Sequence, residues 1–106
     1  MKRFDVFWVQ MDPAKGTEIQ KTRPAVIISP NEMNDRIQRV IIAPLTSRLR
    51  QYYSYRLQVM LGDAVSDVLL DQIRAIDKLR LGKKLGRLQN EDQNRLVHLL
   101  QQLFAA

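Results

Sequence analysis

Glu18 and Arg23, five positions apart, are the first residues of this sequence whose types suggest chemistry. An arginine fork can grip two phosphate oxygens at once, and it stays charged while negative charge builds in a transition state. A carboxylate nearby can take the proton of a ribose 2′-hydroxyl and turn that oxygen into an internal nucleophile. The pair therefore points to work on a phosphodiester. It also fits an ordinary loop salt bridge, worth about 0–1 kcal/mol when exposed. Thr46 and Ser47 follow an apolar run and Pro44, where their hydroxyls can donate to a phosphate oxygen or simply close a turn. Asp71-Gln72 can contact bases or merely end a strand. Arg48 and Arg50 precede Tyr52 and Tyr53, a mix of charge and stacking surface found in single-strand binders and on solvated faces alike.

What is missing narrows the chemistry. There is no cysteine, so disulfides, thiolate zinc sites and cysteine nucleophiles are excluded. The single histidine, His98, projects from the side of an apolar helical stripe opposite its leucines and reads as solvated. A metal site is not expected, and acid–base work falls to carboxylate, arginine or hydroxyl groups. Gly82-Lys83-Lys84 has no upstream glycine at P-loop spacing, so a nucleoside triphosphate site is not supported.

These residues need elements to hold them. At 106 residues with 45% hydrophobic content, the chain reads as one domain over residues 1–106. Val6 to Met11, Pro24 to Ser29, Val40 to Ala43 and Tyr55 to Met60 read as strands, with a hairpin-like turn at Leu61-Gly62-Asp63. Val65 to Ile76 supplies one or two more, broken near Asp71-Gln72. Asn31 to Arg36 is a short helical turn that Asn31 can cap. Gly82 to Arg87 reads as a basic, glycine-punctuated connection. One long helix closes the chain, with Asn90 and Gln93 as a capping box and Leu96, Val97, Leu99, Leu100, Leu103 and Phe104 at helical spacing. Five or six strands plus a C-terminal helix predict a mainly β, α+β fold, a small bent antiparallel sheet or barrel with the helix packed on it.

The net charge of +6 calls for an anionic partner, nucleic acid or an acidic protein segment, or else only confers solubility. Basic side chains crowd between Lys78 and Arg87. No apolar stretch approaches the ~20 residues that cross a bilayer, and the first residues lack a secretory signal, so the expected setting is the cytoplasm.

In order along the chain, Trp8-Val9, Asp12-Pro13, Lys15-Gly16, Glu18, Thr22-Arg23-Pro24-Ala25-Val26, Ser29-Pro30, Pro44 with Thr46-Ser47, and Asp71-Gln72 form a set. That set resembles the MazF/PemK family of toxin endoribonucleases, and the resemblance runs through nearly the whole chain. It implies an SH3-like barrel with appended helices, working as a homodimer and needing no metal or cofactor. It implies cleavage of single-stranded RNA, often mRNA, by the 2′-hydroxyl, leaving a 2′,3′-cyclic phosphate and a 5′-hydroxyl. It also implies an acidic antitoxin that covers the RNA surface, and contact with DNA only through that antitoxin. By the same resemblance, Arg23, Thr46 and Glu18 are the catalytic candidates. Thr17, Ser47, Arg48, Arg50, Asp71 and Gln72 are the RNA-binding candidates. Thr17 and Leu69 stand where the PemK branch has a histidine and a second arginine, so the chain looks closer to the MazF branch. The alternatives are a non-catalytic, CcdB-like toxin or a plain nucleic-acid-binding module of related fold.

Overall fold

The β-branched runs Val26-Ile27-Ile28 and Val40-Ile41-Ile42 stiffen the chain into extended backbone and give it surface to bury on both faces. The computed structural model of the chain describes residues 1–11, 22–49 and 55–105. The strands are β1 (Asp5–Gln10), β2 (Thr22–Ile27), β3 (Arg39–Thr46), β4 (Arg56–Leu61), β5 (Ala64–Leu69), β6 (Arg74–Asp77) and β7 (Leu81–Arg87). Helix α1 (Asn31–Arg36) joins β2 to β3, and α2 (Asn90–Leu103) ends the chain. Short 3-10 turns at Leu70–Gln72 and Lys78–Arg80 flank β6.

All pairings are antiparallel, in the order β4-β5-β3-β2-β1-β7, with β6 also on β3. β3 is the strand on which the sheet divides. Arg39 to Ile42 pair with β6, while Leu45 and Thr46 pair with β5. The β2 ladder on β3 ends at Pro44, whose missing N–H limits pairing there, as its position predicts. The sheet curls as a result, into a half-barrel with α2 against one side.

Two cores follow from the curl. Val6, Val26, Ala43, Leu45, Val59, Val68 and Leu96 centre the first, onto which Leu99, Leu100 and Leu103 of α2 also pack. Val9, Ala25, Ile27, Val40, Ile42 and Ile76 form the second, which draws on the strands' other faces. Asp92 of α2 is buried and accepts from the Met60 N–H of edge strand β4 at 3.2 Å and from Arg95 Nη1 at 3.1 Å. The helix thereby takes up a ladder group that an edge strand leaves over.

Several local expectations change. Among the described residues there are seven strands, because Gly82 to Arg87 is not a connection but most of β7, paired along β1 from Leu81 to Arg87. Glycine and lysine disfavour strands locally, and cross-strand pairing overrides that preference. Neither helix has a side-chain cap at its start. Asn31 Oδ1 instead accepts from the Arg3 N–H at 2.7 Å, and Gln93 Nε2 donates to the Leu88 carbonyl at 2.8 Å. Asn31 thereby ties α1 to the segment ahead of β1, and Gln93 ties α2 to the residue just after β7, rather than to their own first turns. Phe104 lies outside the packed stripe and is 74% exposed, since α2 stops at Leu103. His98 is exposed, as its helical position predicts.

Candidate functional site

β2 is exposed at its first two residues and buried at its last three. Arg23 therefore stands out from a strand whose far end is locked in the core. Thr46 is the final residue of β3, in register with Asp67 of β5. Its Oγ1 accepts the Arg48 N–H at 3.2 Å, which fixes the turn that carries Ser47 and Arg48. A hydroxyl that accepts one bond still has its proton to donate. The turn reading and the binding reading of Thr46 are thus compatible.

Arg23, Thr46, Ser47, Arg48 and Gln72 line one open cleft of about 710 Å³. They come from β2, the end of β3 and its turn, and the 3-10 turn after β5, so the sheet's curl brings distant segments to one place. Asp71 is not on that wall. It instead contacts Arg56, whose Nε is 3.6 Å from Asp71 Oδ1, the arginine side chain being 12% exposed and the aspartate's 45%. At that separation the contact is an ion pair rather than a good hydrogen bond. Glu18, Thr17 and Arg50 lie outside the described residues.

Among the lining residues that the sequence did not mark as candidates, Trp8, Arg56 and Ser66 bring a stacking face, a charge and a hydroxyl, beside apolar Pro24, Leu45 and Leu69. Arg56 heads β4 and pairs with Leu69, another cleft residue. In sequence it looked like the polar member of an alternating strand. Only the β4–β5 register shows that it reaches the cleft. Trp8 marked a strand, and its position one residue before buried Val9 was the available signal that its ring faces the other way.

The basic run behaves differently. Lys78 Nζ donates to the Asn34 carbonyl. Arg80 Nη1 reaches the Met11 carbonyl at 3.0 Å and that of Gln10 at 3.4 Å. Arg87 Nη1 bonds the Arg3 carbonyl at 2.8 Å and Asp5 Oδ1 at 3.0 Å, with Lys84 Nζ 3.4 Å from the same oxygen. Burial pushes the Asp5 carboxyl up, but the Lys2 N–H, Arg87 and Lys84 together outweigh it and hold its pKa below the usual value of 3.8. Among the described residues, no three His, Cys, Asp or Glu side chains gather as a metal cage. Nor is any helix among them long and apolar enough to cross a membrane.

The described residues thus form a curled antiparallel half-barrel with a helix on one side and a cleft lined by basic and hydroxyl side chains. The chain belongs to the family of PemK-like, MazF-like toxins of type II toxin–antitoxin systems, whose family model matches residues 2–104. It is 32% identical over 98 residues to endoribonuclease MazF9 of Mycobacterium tuberculosis, covering 82% of this chain and 81% of that one. Its fold is similar to that of MazF in a solved MazE-MazF structure from Deinococcus radiodurans, with a TM-score of 0.82, 24% identity, and coverage of 97% of this chain and 94% of that one. The Mycobacterium tuberculosis toxin MazF-mt6 matches with a TM-score of 0.76 at 21% identity, covering 94% and 95% of the two chains. At these structural identities the likeness is one of fold.

Proposed function

We propose that the chain is a sequence-selective, metal-independent endoribonuclease that cuts single-stranded RNA as the toxin of its pair. The observation that supports this best is the convergence of Arg23, Thr46 and Arg48 on one cleft from segments far apart in sequence. In the proposed reaction Arg23 binds the scissile phosphate and stabilises the charge that builds on it. Thr46 donates to a non-bridging oxygen. Glu18 accepts the 2′-hydroxyl proton, and the freed oxygen attacks phosphorus while the bond to the 5′-oxygen breaks. That oxygen leaves with a proton supplied from the Arg23 side of the cleft. The products are a 2′,3′-cyclic phosphate and a 5′-hydroxyl. Arg56, steadied by Asp71, suits a flanking phosphate, and Ser47, Arg48 and Gln72 suit the strand on either side.

The same basic cleft suits an acidic antitoxin segment, which would block RNA by charge and bulk together. The proposed working form is a homodimer in the cytoplasm, where its RNA substrate is. The test is incubation with a mixed single-stranded RNA pool in EDTA, with cut positions and end groups mapped. Cleavage should persist in chelator and stop when deoxyribose replaces the ribose 5′ to the cut. Cleavage of that deoxy substrate would overturn the mechanism.

A further inference from the structure

Trp8 is the chain's single tryptophan, and it sits 40% exposed on the cleft wall. Lone exposed apolar residues are common and mean little by themselves. The surrounding backbone gives this one more weight. Trp8 pairs with Pro24, and the next pair along is Val9 with Arg23. Adjoining rungs alternate faces, so register alone would set the indole and the guanidinium on opposite sides; at this exposed start of β2 both nonetheless line the same cleft.

On the other side of β1 the ladder slips at this point. Phe7 faces Lys84 and Val9 faces Leu81, so three steps along β7 answer two along β1. Such bulges bend a strand locally and re-aim side chains, often beside binding sites. Gly82 lies within the slip, and a Cβ there would stand 3.2 Å from the Trp8 carbonyl oxygen and 3.5 Å from the Trp8 Cβ. The close approach that seats Trp8 therefore depends on a residue without a side chain.

Resting on the nuclease reading of the cleft, we infer that Trp8 is the stacking platform for a nucleobase adjoining the phosphate held at Arg23. Arginine alone supplies attraction for any polyanion, whereas an indole face discriminates a strand that carries bases from one that does not. Stacking tolerates every base, so Trp8 contributes affinity and register and leaves base identity to the polar groups around it. Its neighbour Pro24 adds an apolar ledge to the same subsite.

With one tryptophan, fluorescence reports on this subsite alone. The probes are a single-stranded deoxyribose oligonucleotide pool, which lacks the 2′-nucleophile and stays intact, and a tetrahydrofuran phosphodiester oligomer of equal length without bases. Both carry a terminal dye, so binding is followed independently by anisotropy. The base-bearing pool should quench Trp8 on binding, and the abasic oligomer should bind more weakly without quenching. Trp8→Ala should weaken the base-bearing pool by roughly tenfold or more, leave the abasic oligomer within about twofold, and Trp8→Phe should restore most of the loss. Equal quenching by both oligomers, or equal affinities in wild type and Trp8→Ala, would overturn the subsite while leaving the anion-binding cleft intact. Failure of both oligomers to bind the wild type would overturn the nucleic-acid reading itself, and the subsite with it. Should Trp8→Ala lose cooperative melting, wild-type quenching and Trp8→Phe affinity still decide the matter.

Discussion

The cleft and the strip from Lys78 to Arg87 are both rich in cationic side chains, yet they use them in opposite ways. Along the strip, Lys78, Arg80 and Arg87 turn back onto backbone carbonyls, and Lys84 and Arg87 share the Asp5 carboxylate. In the cleft, Arg23, Arg48 and Arg56 line an open space large enough for a strand of nucleic acid. The lesson is that a run of charge in sequence does not mark a binding surface. Most of the denser run is engaged by the protein's own carbonyls and by Asp5, and the scattered arginines line the cleft. An arginine N–H given to a carbonyl of the protein is one fewer donor for a phosphate outside it.

Four measurements would break or sharpen that contrast. The largest effect is expected at Arg23→Ala, which should lower kcat about a hundredfold or more, the usual cost of one preorganised donor to a developing oxyanion. Its melting temperature should stay near that of the wild type, because the residue is exposed. Retained activity would remove Arg23 from the chemistry.

Next comes Arg56→Met, which keeps the apolar stem and removes the charge. It should weaken binding of single-stranded oligonucleotide at low salt and cut the slope of log affinity against log salt by roughly 0.7, one phosphate's worth for a single strand. An unchanged slope would place Arg56 with the internal cations instead.

Arg80→Met makes the converse test. Losing a charged donor to two main-chain carbonyls should cost about 1–3 kcal/mol of stability in urea unfolding. The salt slope of binding should not move. A fall in that slope would show that the strip also meets nucleic acid, and the contrast between the regions would collapse.

The smallest effect is the acid dependence of the Asp5 cluster. Its folded pKa is depressed, so its contribution is complete above the ordinary value of 3.8 and is lost as pH falls through the lower folded one. The wild-type melting temperature should therefore drop more steeply below about pH 4 than that of Asp5→Asn. Parallel curves would show that other groups carry the acid sensitivity.

Much of the scaffold was legible residue by residue. Phe7-Trp8-Val9 announced β1 and the β-branched runs β2 and β3, Pro44 marked where one ladder stops, and the leucine spacing announced α2. β7 was not legible, because glycines and lysines carry no strand preference and only the edge of β1 recruits them. The helix caps failed for a related reason. Asn31 and Gln93 had the right chemistry for capping, but Asn31 took a distant partner, the Arg3 N–H, and Gln93 bonded the Leu88 carbonyl just ahead of the helix. Within the site, Arg23 and Thr46 stood out by type and context, while Arg56 looked like any polar residue of an alternating strand.

By itself the sequence determined which segments are extended, which stripe of the last helix is apolar, and which residue types are available for phosphate chemistry. Those properties are local, since propensity and periodicity act over a few residues. Only the tertiary structure decided that Trp8, Arg23, Thr46 and Arg56 share a cleft, that Asp71 pairs with Arg56 without lining it, and that Lys78, Arg80, Lys84 and Arg87 bond to the protein's own carbonyls and to Asp5. Those facts depend on strand order and register, which the long-range burial of two cores selects and no short stretch of chain encodes.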